Sequence, residues 1–153
     1  MIMLCLLSLL PQCLCQFSQS SSRTLTNSAT SSIYSIDITG NGEFVIGGGN
    51  QNTPYVYENN GTHFTHTYNI SGCCVDHVDF IDVTADGEWL YVVDNYRSSY
   101  MHRYNFRTNQ YELFQTFTIA QTTNNAGAIT DDHQWLIVPK DDGWVHVYTF
   151  NGS

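Results

Sequence analysis

The densest group of ligand-type side chains in this 153-residue sequence is Asp76-His77-Val78-Asp79, two carboxylates and an imidazole within four positions. Such a set can relay a proton or contribute to a cation site. Calcium takes six to eight oxygen ligands, so two Asp from one stretch need partners from elsewhere. A polar loop with a capped turn is the plainer reading, and no metal is assigned to Asp76, His77 and Asp79 on their own. Just upstream stands Cys73-Cys74. Adjacent cysteines close only a strained bridge, and strained disulfides are the labile kind. Cys73 and Cys74 are therefore disulfide candidates, with each other or outward, beside the reading of two loop thiols. Asp131-Asp132 and Asp141-Asp142-Gly143 read as turn residues before they read as ligands. His102 and His146 fall at alternate positions of strand-like stretches, where a polar outward residue is ordinary. Gly47-Gly48-Gly49 follows an apolar run, but no Lys-Ser/Thr and no helix come after it, so it is expected to be a loop or bulge and not a phosphate cradle. No Ser-His-Asp order and no zinc spacing is present. No catalytic residue and no cofactor is assigned.

These residues are set out on a repeat. Asp82-Val83-Thr84-Ala85-Asp86-Gly87-Glu88-Trp89-Leu90-Tyr91 has a counterpart beginning at Asp37 and another at Ala128, 45 and 46 residues away. A period in the mid-forties is the length of one four-stranded propeller blade. Each copy reads alike. A short strand (Ile33 to Ile38, Val78 to Val83, Ala126 to Ile129) enters a polar turn. Asn41-Gly42 and Asp86-Gly87 tolerate positive φ and suit a tight hairpin. The third copy has His133 in place of the Gly, which predicts a different turn type there. The next strand is nearly continuous in apolar residues (Phe44-Val45-Ile46, Trp89 to Val93, Trp135 to Val138), the mark of cover on both faces. Alternating strands follow at Tyr55-Val56-Tyr57, Met101 to Phe106 and Trp144 to Phe150, and again at Phe64 to Ile70 and Tyr111 to Ile119. Phe17 to Thr26 is a weak version of that last strand.

The pattern D-[IV]-T-x-[DN]-G-E-[FW]-[LV]-x-[IV], with V-x-V-Y further on, resembles the blades of WD40-like and lactonase-like (YVTN-type) β-propellers over residues 31 to 153. The sequence lacks the Gly-His and Trp-Asp dipeptides of true WD40 repeats. The resemblance implies an all-β fold of three four-stranded antiparallel repeats, at about 31–70, 76–119 and 124–153, forming an incomplete propeller. In lactonase-like propellers a channel cation, calcium included, is held by several blades. The counterparts of Asp76, His77 and Asp79 at 31–34 and 122–125 carry no carboxylate or imidazole. The fold hosts many unrelated activities. A non-catalytic interaction domain that binds a protein or a glycan is the leading expectation. A lactonase-like hydrolase with a channel metal and a structural extracellular-coat component are the alternatives.

Five Lys and Arg against fourteen Asp and Glu give a net charge of −9. No dense basic stripe can form, so nucleic-acid binding is not expected. Residues 1–15 are uncharged and almost wholly apolar through Leu10, too short to span a bilayer. They read as a secretory signal cleaved before Gln16, although no Lys or Arg precedes the apolar run. The mature chain, residues 16–153, is then expected outside the cell, with no transmembrane segment. Asn60, Asn69 and Asn151 open glycosylation sequons. Propellers usually close with four to eight blades. Three copies predict a truncated ring, or self-association through open blade edges, with two chains completing a six-bladed ring by strand exchange.

Overall fold

A computed structural model describes residue 25 and residues 32–96, 98–118, 126–139 and 143–151. The expected signal segment, most of the Phe17–Thr26 stretch, Asp141 and Asp142 lie outside the described residues. Blade 1 is the antiparallel sheet of β1 (Ile33–Ile38), β2 (Phe44–Gly49), β3 (Tyr55–Asn59) and β4 (Phe64–Asn69). Blade 2 repeats it with β5 (Val78–Val83), β6 (Trp89–Asp94), β7 (Ser98–Asn105) and β8 (Gln110–Thr118). Blade 3 has β9 (Ala128–Ile129), β10 (Trp135–Pro139) and β11 (Val145–Thr149) among the described residues. The expected propeller blades are present, and among the described residues no helix is long and apolar enough to cross a membrane. Gly47, Gly48 and Gly49 lie in the buried end of β2 and not in a loop. They do sit opposite a bulge, between Ile33 and Ser35 of β1. Their reason is close approach: a Cβ on Gly48 would lie 2.3 Å from Val78 Cγ1 of blade 2.

One turn is built three times. Thr84 N donates to Trp89 O (3.0 Å) and Trp89 N to Thr84 Oγ1 (3.0 Å). The Thr84 hydroxyl donates to Asp86 Oδ1 (2.7 Å), which also accepts Glu88 N (2.9 Å). Thr39, Asn41, Glu43 and Phe44 make the same bonds in blade 1, and Thr130, Asp132, Gln134 and Trp135 make them in blade 3. The turn needs a left-handed residue, supplied by Gly42 (φ 68°), Gly87 (φ 74°) and His133 (φ 61°). The expected change of turn type in the third copy is therefore wrong. The Thr and Asp side chains hold the turn so fully that His133 takes the glycine conformation despite its Cβ.

Alternate residues of each strand face the blades on either side. Leu90, Val92, Tyr100 and His102 of blade 2 face blade 1, in a core with Ile46, Val56, Ile70 and Val78. Trp89, Tyr91, Val93 and Met101 face blade 3, against Leu136, Val138 and Tyr148, with Phe117 of β8 beside them. Every residue of β6 is buried, as its continuous apolar run predicts. In β10 the residues facing away from blade 2, Trp135 and Ile137, are 44% and 37% exposed, and Val145 and Val147 continue that open face. Leu25 packs on the opposite side of the array, against Val45, Tyr55 and Tyr57, all of them buried. It stands 45 residues before Ile70, the point on blade 1 where an outer strand meets the next core.

The innermost strands are clasped blade to blade. Asp37 Oδ2 accepts Val83 N at 2.7 Å, and its repeat equivalent Asp82 accepts Ile129 N at 2.7 Å. Ser35 Oγ adds a bond from Ile81 N at 2.9 Å. The third equivalent is Ala128, which has no carboxylate. The Ile38 N–H, which corresponds to Val83 and Ile129, is capped by its own Asp37 at 2.8 Å.

Candidate functional site

The two ends of β5 carry the two groups of polar side chains. At its start, the bulge at Val78/Phe80 and the equivalent one in β1 turn Asp79 and Tyr34 outward, as bulges do when they re-aim a side chain. His77 sits between them. Its Nδ1 is 3.1 Å from Asp76 Oδ1, its Nε2 is 3.3 Å from Asp79 Oδ1, and Tyr34 meets the ring edge-on at 5.5 Å. Burial raises the Asp79 carboxyl above its ordinary range, partly offset by His77. Asp76 and Asp79 thus bracket opposite edges of one imidazole. Lone pairs on the two ring nitrogens diverge, so the three groups do not converge on one cation, and the arrangement suits positioning of the ring. Next to them Cys73 and Cys74 are free thiols.

The other end of β5 leads to the Thr84–Trp89 turn, where side chains of two blades meet. His133 Nε2 lies 2.9 Å from Asp86 Oδ2 across the junction of blades 2 and 3. Burial alone would raise Asp86, but the Glu88 N–H, the Thr84 hydroxyl and His133 together hold it below the usual carboxylate range. Beside it Glu88 Oε1 accepts Arg103, at 2.7 Å from one terminal nitrogen and 2.9 Å from Nε. The guanidinium lies 5.3 Å over the Trp89 ring. Ligand atoms of Asp86, Glu88 and His133 fall within 4.8 Å of one another. They are the described residues best placed to hold a cation, yet Arg103 and His133 already engage both carboxylates.

Below this polar rim is an aromatic floor. Trp89 meets Phe114 edge-on at 4.9 Å and Phe150 at 5.0 Å. With Met101, Phe117 and Tyr148 they line a cleft of about 120 Å³ between β8 and β11. Phe114 is 50% and Phe150 46% exposed. Sequence reasoning missed this group because its members stand 25 and 36 positions apart and meet only once blades stack. The signal available was the one His at a glycine turn position.

His102 is placed differently from its expectation. Both faces of β7 are covered, so an alternate position is interior: His102 is 0% exposed and neither ring nitrogen has a partner among the described residues. Burial lowers its pKa from 6.5 to about 4. His146 is half-buried on the side facing blade 2. Asn60, Asn69 and Asn151 are all exposed, Asn60 at a turn where it accepts Thr62 N and His63 N at 3.0 Å.

No family model and no curated protein sequence matches this chain. Solved structures do match it. It is similar to Sqt1 of Saccharomyces cerevisiae over 86% of its own length and 36% of that chain, at 18% identity and a TM-score of 0.67. It is similar to the WD40 repeats of RRP9 over 80% of its length and 37% of theirs, at 15% identity and a TM-score of 0.64. A chain of the mitotic checkpoint complex matches over 81% and 35%, at 14% identity and a TM-score of 0.63. The chain spans little more than a third of these structures. At such identity the likeness is one of fold: this is a WD40-like propeller arc of about three blades.

Proposed function

We propose that the chain is an interaction domain whose turn face, at the junction of blades 2 and 3, binds a protein partner. The observation that carries this is the exposed Phe114–Phe150 pair over Trp89, ringed by the Arg103–Glu88 and His133–Asp86 pairs. A clustered aromatic floor with an Arg and a polar rim is the composition of binding hot spots, where apolar anchors fill a pocket and polar groups exclude water around it. One of the similar folds belongs to a checkpoint complex, which supports the use of such a face in assembly. A glycan is the competing occupant, since sugars also stack on exposed aromatic rings. Secretion rests on the 1–15 segment and on three surface sequon asparagines. A glycosidase-sensitive mass on the secreted chain tests that separately.

The test is site-specific photocrosslinking in the producing cell, with a photoreactive residue at Phe114 and, as a control, at exposed Val75. Discrete protein adducts at position 114 and none at position 75 are the expected result. Identical adducts at both positions, or retention on a glycan array that Phe114→Asp abolishes, would overturn the protein reading. The coat-component reading keeps one observation in its favour, the open apolar face of Trp135, Ile137, Val145 and Val147. Sedimentation that shows concentration-dependent growth, lost in Val147→Lys, would support it.

A further inference from the structure

We infer that Cys73 and Cys74 form a reversible thiol–disulfide site in the loop that joins blades 1 and 2. Neighbouring side chains of an extended chain point to opposite sides. Here Cys74 takes a left-handed backbone (φ 42°), and the two sulfurs come to 2.9 Å on the same side. The chain is fixed on both flanks. Gly72 adopts φ 78° ahead of the pair, and Val75 N behind it donates to the buried Asp94 carboxylate at 3.0 Å. Cys74 is 4% exposed and belongs to the core between blades 1 and 2, whereas Cys73 is only half-buried and packs at the edge of that core. Cys73 is thus the more accessible of the two to a co-reactant, and Cys74 is the one held in the core.

A small-molecule disulfide such as oxidised glutathione supplies the oxidising power. The Cys73 thiolate attacks one of its sulfurs, a Cys73 mixed disulfide forms, and one small thiolate leaves. Cys74 then loses its proton and attacks the Cys73 sulfur. The Cys73–Cys74 bond forms, the mixed disulfide breaks, and the second small thiolate leaves. Two protein thiols are oxidised and one small disulfide is reduced, and the two protons end on the released thiols. The order of attack follows from the environment. The Cys74 thiol is held far above the ordinary thiol range by its hydrogen bond to Cys73 first and by burial second. Capping Cys73 removes the first of these causes.

The product is a bridge between adjacent residues. Their Cα atoms are about 3.8 Å apart across one trans peptide, closer than the roughly 4.4–6.8 Å of ordinary disulfides. Strained bridges are readily reduced, so the pair is suited to cycle and not to serve as a permanent staple. Its state bears on the loop that carries Asp76 and His77. The site stands apart from the turn-face reading and does not depend on it.

The experiment uses the full chain, equilibrated in mixtures of oxidised and reduced glutathione, alkylated and mapped by peptide mass. Under oxidising mixtures the peptide holding Cys73 and Cys74 is expected to lose two hydrogens and take up no alkyl group, and dithiothreitol is expected to restore two alkylatable thiols. The Cys74→Ser chain should instead keep one glutathione on Cys73. Two alkylated thiols at every glutathione ratio would overturn the inference, as would bridges from either residue to Cys5, Cys13, Cys15 or a second chain.

Discussion

Replacing His102 by Leu should stabilise the protein, and more so in acid. The imidazole sits at zero exposure between Leu90 of β6 and Leu113 of β8, its register partners, with both nitrogens unpartnered among the described residues. Leaving a buried polar group unsatisfied costs about 1–3 kcal/mol, so His102→Leu is expected to gain about that much near neutral pH. The acid effect comes from linkage. The folded pKa is lowered from 6.5 to about 4, so the unfolded chain binds the proton first as pH falls. Stability is fully present above about 6.5 and is lost progressively on descent toward 4. A shift of that size corresponds to roughly 3 kcal/mol, most of it already lost near pH 4.5. Urea unfolding of wild type and His102→Leu at about pH 7 and about pH 4.5 gives the double difference. Other titrating groups, among them Asp79 and Asp82 with raised values of opposite sign, cancel in it. The advantage of the Leu chain should widen in acid by about 2–3 kcal/mol. An unchanged advantage, or a His102 ring resonance that titrates near 6.5, would refute the account of a neutral, unpartnered imidazole.

Gly127→Ala should destabilise by about 1–3 kcal/mol, because the new Cβ would meet Tyr91 Cε1 at 2.4 Å and Ile137 O at 2.9 Å; a thermal melt checks it. Asp94→Ala should lose about 3 kcal/mol or more, since the carboxylate accepts Val75 N, Tyr96 N, Ser98 N and the Tyr100 hydroxyl. Asp94→Asn should lose less in the same urea series, because one oxygen remains. Asp82→Ala should speed hydrogen exchange at the Ile129 amide and leave Val83, clasped by Asp37, protected. His133→Gly should leave stability within about 0.5 kcal/mol, as relief of the left-handed backbone offsets the lost surface pair with Asp86.

What the sequence disclosed was whatever repeats locally. The Thr, Asx and Glu positions of the turn and the apolar run after it lie within ten residues, so strand, turn and period could be read together. Asn41-Gly42 and Asp86-Gly87 announced their turns, but His133 did not, because the Thr130 and Asp132 bonds that force its conformation are invisible until the turn is built. Strand alternation told that His102 differs from its neighbours in facing, but not that both facings are interior. That depends on the blade standing beside it. The Trp89–Phe114–Phe150 floor was hidden for the same reason, as were the Asp37 and Asp82 clasps, whose partners lie 46 and 47 residues on.

The clasps also give the array a direction. Asp37 and Asp82 each fix the register of the blade that comes after, whereas Asp131, in the turn of blade 3, reaches back to accept Ala85 N of blade 2 at 2.8 Å. A one-residue slip in a strand turns its whole apolar set to the wrong face, and Asp37 and Asp82 guard against that slip at successive junctions. Ala128 has given up the guard, and Ile38 has its donor occupied by its own neighbour. A blade laid against the open side of blade 3, whatever chain it comes from, would therefore be held by side-chain packing on Trp135, Ile137, Val145 and Val147, with no inner carboxylate to set its register. That seam is where such an assembly should breathe and where strands should exchange.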